Sequence, residues 1–229
     1  MNKAELKKLK MATEKLTKWE SSGKAFGHYQ VIEGKATTTD GADRIYEFWC
    51  LMKILVDLKA NYKIDLIPGN PAGKIFPQAP SLKKGWPYFK IELNSDPTNK
   101  FQVCYGTKIK LSLAPKTTIA PDISIQKHDS TNDPDESMVE LIMDAKFKYT
   151  NTSALPIDQL HGFIQRVNAL QTQNADTIPL EFDLLKDIKA NCLLTNGKAL
   201  GDQDVYCKLN KIKQVEQFDI SSTYNVIGY

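Results

Sequence analysis

The sequence predicts an α/β fold in which a mixed central β-sheet is flanked by helices. Residues 42–60 and 156–173 carry apolar residues at helical spacing, and much of the chain between them alternates apolar and polar residues as strands do. Turn-forming residues separate these segments, and no internal repeat or low-complexity linker divides the chain. Residues 1–229 are therefore assigned to a single domain.

Residues 42–60 show the strongest helix pattern in the chain. Apolar residues surround most of it, so it is expected to be central to the fold and packed on more than one side. The helix at 156–173 has one apolar face, formed by Leu160, Phe163, Ile164 and Val167. A lysine-rich helix is expected at 2–20, either as a solvated helix that docks one apolar stripe or as an arm that faces phosphates.

Strands are expected between the two apolar helices and again near the C-terminus. Their ranges are 62–67, 88–93, 101–105, 108–113, 122–126 and 139–149, followed by 192–195 and 205–209. The polar stretch 127–136 suits an exposed connection between two strands of a hairpin.

Composition and charge exclude several classes of protein. With 41% hydrophobic and 25% charged residues, the chain can build a sizeable core and is not expected to be disordered. The net charge of +3 is too small to indicate a polyanionic partner by itself, so phosphate contacts must come from local lysines such as Lys108, Lys110 and Lys148. No apolar run reaches 18 residues, so no membrane span is expected, and the lysine-rich N-terminus is not a secretory signal.

The four cysteines form no CxxC pair, and no histidine lies near them in sequence. A structural zinc site is therefore not expected. Cys50 and Cys104 lie within apolar patterns, as buried free thiols do. Reduced cysteines fit an intracellular protein, and the expected location is the cytoplasm.

Strand alternation places acidic residues and a lysine together. Asp144 and Lys146 are two residues apart, so both project from the face of strand 139–149 that is opposite its apolar core face. Asp122 likewise projects away from its inward-facing neighbours, Ile123 and Ile125. If the two strands pair, Asp122 and Asp144 converge on one point, and two convergent carboxylates form an oxygen-rich site for Mg²⁺ or Mn²⁺.

Such a site suits metal-dependent hydrolysis of a phosphodiester. A lysine beside it can orient or help to deprotonate the attacking water and can stabilise charge on the phosphate, without a covalent nucleophile. Spacing alone also allows Asp144 and Lys146 to form a surface ion pair on an exposed strand. Glu47 lies on an apolar face of the 42–60 helix, where a carboxylate must be paired, hydrogen-bonded or metal-bound. It either pairs with a cation such as Lys146 or supplies a third acidic ligand.

At these residues the sequence resembles the PD-(D/E)xK nuclease superfamily. Pro121-Asp122 matches the first half of the motif and Asp144-Ala145-Lys146 the second, and the order of helix, three strands and helix also fits. A narrower likeness is to the McrC-type and related restriction nucleases. Residues 44–55 resemble their Tyr-Glu-x-Trp helix, and residues 142–149 follow their Asp-Ala-Lys pattern with its aromatic and basic continuation.

The resemblance covers about residues 42–170 and implies a restriction-endonuclease-like core with N- and C-terminal extensions. It implies a Mg²⁺-dependent endonuclease that hydrolyses DNA, in restriction or anti-phage defence. The residues it carries over are Asp122, Asp144 and Glu47 as metal ligands, Lys146 as the catalytic lysine, and, less faithfully, Gln159 and His161 on the following helix.

Two other functions stay open: an RNA or repair nuclease of the same fold, and a non-catalytic nucleic-acid-binding subunit of a restriction complex. The intact Asp122, Asp144 and Lys146 argue against the second. Cutting both strands of a duplex would require a homodimer or two successive events. McrC-type proteins work with a GTPase, and this chain has no GxxxxGK[ST] loop, so an NTPase activity would come from a partner chain. No helix-turn-helix or zinc-finger pattern is present, which leaves specificity to loops, extensions or another partner.

Overall fold

The computed structural model describes residues 3–18, 29–30, 32–33, 39–67, 69, 80–82, 86–221 and 223–229. Its helices are α1 (Lys3–Thr17), α2 (Thr39–Leu58), α3 (Ile157–Ala169) and α4 (Asp204–Leu209). Its strands are β1 (Tyr62–Ile67), β2 (Tyr88–Leu93), β3 (Lys100–Tyr105), β4 (Ile109–Leu111), β5 (Ala114–Ile119), β6 (Ile123–Lys127), β7 (Val139–Lys146), β8 (Asn191–Thr195), β9 (Ile212–Glu216) and β10 (Asn225–Gly228).

Eight strands form one mixed sheet in the order β1-β2-β3-β6-β7-β8-β9-β10. The pairs from β1 to β7 are antiparallel, β7-β8 and β8-β9 are parallel, and β9-β10 is antiparallel. β4 and β5 form a separate two-stranded hairpin between β3 and β6. The predicted α/β class with a mixed central sheet is therefore confirmed.

Helices cover both faces of this sheet. On one face, α2 is buried along nearly its whole length, as predicted, and α1 docks the apolar stripe of Leu6, Leu9 and Leu16 against the same core. On the other face, a second core forms between α3 and the sheet, where Ile142 and Leu193 pack with Leu160, Phe163 and Ile164. β7 is consequently buried on both faces, because α3 covers the face that alternation alone left open.

Several predicted boundaries hold and others do not. The strands at 62–67 and 88–93 form as predicted, and 127–136 connects the antiparallel pair β6-β7. The strand predicted at 108–113 is instead the start of the β4-β5 hairpin, which turns at Ser112 and Leu113. The strand predicted at 205–209 is wrong, since these residues form α4; a short apolar run does not distinguish a strand from a helix.

No helix in the described parts of the chain combines the length and the apolar character that crossing a bilayer requires.

Candidate active site

The candidate site lies at the ends of two neighbouring central strands, β6 and β7. Asp122 directly precedes β6, and Asp144 and Lys146 lie in the last residues of β7. Because β6 and β7 are antiparallel, with Ile123 opposite Met143, the start of one strand lies beside the end of the other. The predicted pairing of these two strands is confirmed, and it brings Asp122 next to Asp144.

Reciprocal hydrogen bonds hold the two carboxylates together. The backbone N–H of Asp122 donates to Asp144 Oδ1 at 3.2 Å, and the backbone N–H of Ala145 donates to Asp122 Oδ2 at 2.7 Å. The carbonyl of Asp122 also accepts from the Gly106 N–H at 2.9 Å. Each carboxylate is thus fixed by the backbone of the opposite strand, which pre-organises two negative charges that would otherwise repel.

Lys146 reaches both carboxylates from the same side. Its Nζ lies 3.5 Å from Asp122 Oδ2 and 3.4 Å from Asp144 Oδ2. Asp144 is only 1% exposed, so it is not part of a surface ion pair on an open strand, which was the alternative that spacing allowed. Burial lowers the pKa of Lys146, but the attraction of Asp144 and Asp122 outweighs this and raises that pKa above its usual value.

Arg166 is a member of the site that the sequence did not indicate. It lies on α3, and its guanidinium pairs directly with Asp144 Oδ2 while the rest of the side chain remains partly exposed. Asp144 is therefore shared by two cations, Lys146 and Arg166. Because the bond to Asp144 comes from a helix packed over β7, the orientation of α3 is coupled to the site.

Glu47 approaches the same cluster from α2. Burial, and then repulsion from Asp122, raise the pKa of Glu47 to about 8, against the attraction of Lys146. Burial and repulsion from Asp144 likewise raise the pKa of Asp122 to about 6. At neutral pH the Glu47 carboxyl therefore keeps its proton, whereas Asp122 is mostly ionised. The role of Glu47, as a partner of Lys146 or as a third acidic ligand, stays a prediction.

The two weaker candidates lie on α3. Gln159 is half-buried and lies two turns before Arg166 on the same helix face. Its Oε1 is shielded from solvent and has no hydrogen-bond partner among the residues described. His161 is exposed, and its ring centroid lies 5.5 Å from that of Tyr206 in α4. The observed neighbour of His161 is thus an aromatic ring on the C-terminal side of the fold.

The three lysines that were candidates for phosphate contacts differ in their surroundings. The ammonium group of Lys110 pairs with Asp133. Lys108 is half-buried in the segment that leads into β4. Lys148 lies two residues after the end of β7, and burial lowers its pKa. Of the three, Lys148 is the one adjacent in sequence to the carboxylate cluster.

The cluster contains only part of the donor set that a divalent cation requires. Within the described residues, no group of three or more His, Cys, Asp or Glu side chains is arranged to hold a metal ion. Two carboxylates nevertheless face one point that a single cation, the Lys146 ammonium, already reaches. Mg²⁺ is commonly held by one or two carboxylates, with water and substrate phosphate as the remaining ligands, so the donor set of Asp122 and Asp144 is compatible with such an ion.

No protein-family model matches this chain, and neither the curated proteins nor the solved structures contain a match. The geometry of the site therefore carries the functional argument.

Proposed function

We propose that this protein is a metal-dependent endonuclease that hydrolyses DNA phosphodiester bonds through Asp122, Asp144 and Lys146. The proposal rests on one observation. Asp122 and Asp144 are held together by reciprocal hydrogen bonds to each other's strands, and the Lys146 ammonium group lies close to both carboxylates. Two acids and a lysine at the ends of adjacent strands are the groups that the PD-(D/E)xK resemblance implies. A restriction-endonuclease-like arrangement of this sheet is part of the same proposal.

The roles of the residues follow from their charge states. Asp122 and Asp144 would hold a Mg²⁺ or Mn²⁺ ion, which supplies Lewis-acid stabilisation of charge on the phosphate. Lys146 keeps its proton because the two carboxylates raise its pKa, so it acts by binding and stabilising the phosphate rather than by abstracting a proton. Glu47 is assigned as a third acidic group, which becomes available as a ligand once it loses its proton.

The biological setting is proposed from the resemblance and from the thiols. The McrC-type likeness favours restriction or anti-phage defence, and it favours a homodimer, an NTPase or a specificity chain as partners for cutting duplex DNA. All four cysteines are buried free thiols, which suits the reducing cytoplasm.

The experiment is a cleavage assay on plasmid DNA, single-stranded DNA and RNA, in Mg²⁺ and in chelator. We expect Mg²⁺-dependent cleavage of DNA that falls by about 10²–10³-fold in Asp144→Asn and in Lys146→Met. The matched controls are Asp129→Asn and Lys116→Met, which alter exposed residues elsewhere and should cleave like wild type. Preferential cleavage of RNA would show that the substrate is RNA, and the protein would then be the RNA nuclease of the first alternative. Variants of Asp144 and Lys146 that cut as well as wild type would show that the catalytic site lies elsewhere.

The Arg166–Asp144 ion pair favours a second candidate function. The Arg166 guanidinium is bound to Asp144 Oδ2, an oxygen that a metal ion would need as a ligand. A non-catalytic nucleic-acid-binding subunit could retain such a pair as a structural bond. In that case the wild-type protein binds DNA with the same affinity in Mg²⁺ and in chelator, and it leaves every substrate intact.

A further inference from the structure

A cavity of about 210 Å³ lies at the carboxyl ends of the three parallel strands β7, β8 and β9. Phe147 and Lys148 follow β7, Asn196 follows β8, and Asp219 lies shortly after β9. α1 and α2 complete the lining through Lys8 and Tyr46. In α/β sheets, ligands bind in the crevice outside the carboxyl ends of parallel strands. The cavity therefore occupies the part of the fold where a ligand is expected.

One wall of the cavity is aromatic. The ring centroids of Tyr46 and Phe147 are 5.6 Å apart, and those of Phe147 and Tyr149 are 5.5 Å apart. The Tyr46 hydroxyl donates to the Phe218 carbonyl at 2.8 Å, so its polar end is already bonded. Tyr149 is 43% exposed and forms the outer end of this row. Such a wall suits a flat, polarisable ring rather than an ion or an aliphatic chain.

Lys148 is held at this cavity by contacts that fix its backbone. Asn196 accepts from the Lys148 N–H at 2.6 Å through Oδ1 and donates to the Lys148 carbonyl at 2.7 Å through Nδ2. Gly197 leaves room for the side-chain stem, since a Cβ there would lie 2.8 Å from Lys148 Cγ. The backbone of Lys148 is thus fixed at the mouth of the cavity.

The charge and the size of the cavity limit the classes of ligand that fit it. Lys8 and Lys148 contribute two positive charges to the lining, and Asp219 contributes one negative charge. A volume of about 210 Å³ corresponds to roughly seven water molecules at ~30 Å³ each, below the ~300–1,000 Å³ of drug-sized sites. One ring system with an anionic group attached meets these conditions.

We propose that this cavity binds one unstacked nucleobase of the DNA substrate, with Phe147 and Tyr149 against the ring, Tyr46 buried behind Phe147, and Lys8 and Lys148 near the phosphates of that nucleotide. The choice of DNA as the ligand rests on the proposed function. Phe147 directly follows Lys146, and Tyr46 directly precedes Glu47, so a base held here belongs to a nucleotide close to the phosphate at the carboxylates. The cavity would then orient the strand and favour sites where a base is easily unstacked.

The test is a binding experiment in chelator, so that it does not depend on cleavage. Fluorescence anisotropy compares two labelled DNA duplexes that differ only in one unpaired base. Because extruding a base that is already unpaired costs least, we expect wild type to bind the duplex with the unpaired base about tenfold more tightly. In Tyr149→Ala the ratio of the affinities for the two duplexes should fall by at least about fivefold, since stacking on one aromatic side chain contributes roughly that much or more to the affinity. Tyr149→Phe keeps the ring and should keep the preference.

The matched control is Tyr206→Ala, because Tyr206 is 40% exposed and lies on α4. It should bind like wild type. Lys148→Met should reduce the slope of log affinity against log salt by about one phosphate contact, whereas Lys116→Met should leave it unchanged. Equal binding of the two duplexes by wild type, or an unchanged preference in Tyr149→Ala, overturns the assignment of the cavity. A protein that binds as expected but never cleaves DNA overturns the nuclease function alone.

Discussion

Replacing Glu47 with glutamine should make the protein more stable at alkaline pH. Burial and the neighbouring Asp122 raise the pKa of Glu47 from 4.5 to about 8, so the folded protein binds this proton more tightly than the unfolded chain does. The stabilisation from the bound proton is fully present below about pH 4.5 and is lost as the pH rises to about 8. Glutamine is neutral at every pH and keeps the shape of the protonated side chain.

The size of the effect follows from the pKa. A shift from 4.5 to about 8 sets a ceiling of about 5 kcal/mol, at ~1.4 kcal/mol for each tenfold change in proton affinity. Glu47 is only half-buried, and Lys146 offsets part of the repulsion, so the realised difference should be smaller. We expect Glu47→Gln to exceed wild type by about 1–3 kcal/mol in the free energy of unfolding at pH 9, and to match it near pH 5.

The assay is urea unfolding of both proteins at pH 5, 7 and 9 without divalent cations. At a slope of ~2–3 kcal/mol per molar urea, the expected gain moves the midpoint by about 0.3–1.5 M at pH 9. Glu181→Gln is the control, because Glu181 is exposed and its replacement should give the same small difference at each pH. If Glu47→Gln is less stable than wild type at pH 9, then Glu47 is ionised and well paired in the folded protein. That result would exclude a protonated Glu47 beside Asp122.

Three further predictions concern the surroundings of this cluster. Gly197→Ala should lower the free energy of unfolding by about 1–3 kcal/mol, because the new Cβ would lie 2.4 Å from the Ser153 carbonyl oxygen. Gly162 lies in the middle of α3 with open space around it, so Gly162→Ala should instead raise the free energy of unfolding by about 0.5–1 kcal/mol. Thermal unfolding distinguishes the two variants, and equal effects would contradict the difference in packing between the two positions. Arg166→Gln should strengthen Mg²⁺ binding measured by titration calorimetry, because it removes a cation that competes for the buried carboxylate; weaker binding would mean that Arg166 supports the metal site. Mg²⁺ should raise the melting temperature more in the presence of a non-hydrolysable DNA than in its absence, and equal shifts would show that the metal binds independently of substrate.

The sequence predicts the parts of this fold that depend on local periodicity. The apolar residues of α2 identify it as a central helix, and alternation in β6 and β7 correctly brings Asp122 and Asp144 together. Alternation does not reveal that the second face of β7 is covered as well, since that depends on where α3 packs. The parallel pairing of β7 with β8, across a connection of more than forty residues, also has no local signature.

Arg166 escaped prediction because its partner is 22 residues away on another element. A compositional signal was nevertheless present. Only two of the 30 basic residues are arginines, Arg44 and Arg166, and the rest are lysines. One arginine lies a turn before Glu47 on α2, and the other binds Asp144. Arg166 occupies a position where a fixed, planar donor binds a buried carboxylate.

Charge balance links these residues to the proposed substrate. The negative charges of Asp122 and Asp144 are offset by Lys146 and Arg166, and Glu47 remains neutral near pH 7. A divalent cation alone would add two positive charges to this balanced cluster, which is unfavourable in a largely buried site. Ionisation of Glu47 and the arrival of one DNA phosphate would supply two negative charges. Under the proposed function, the cluster is therefore better suited to bind the cation and the phosphate together than to bind either alone, with Asp122 and Asp144 as the carboxylate ligands.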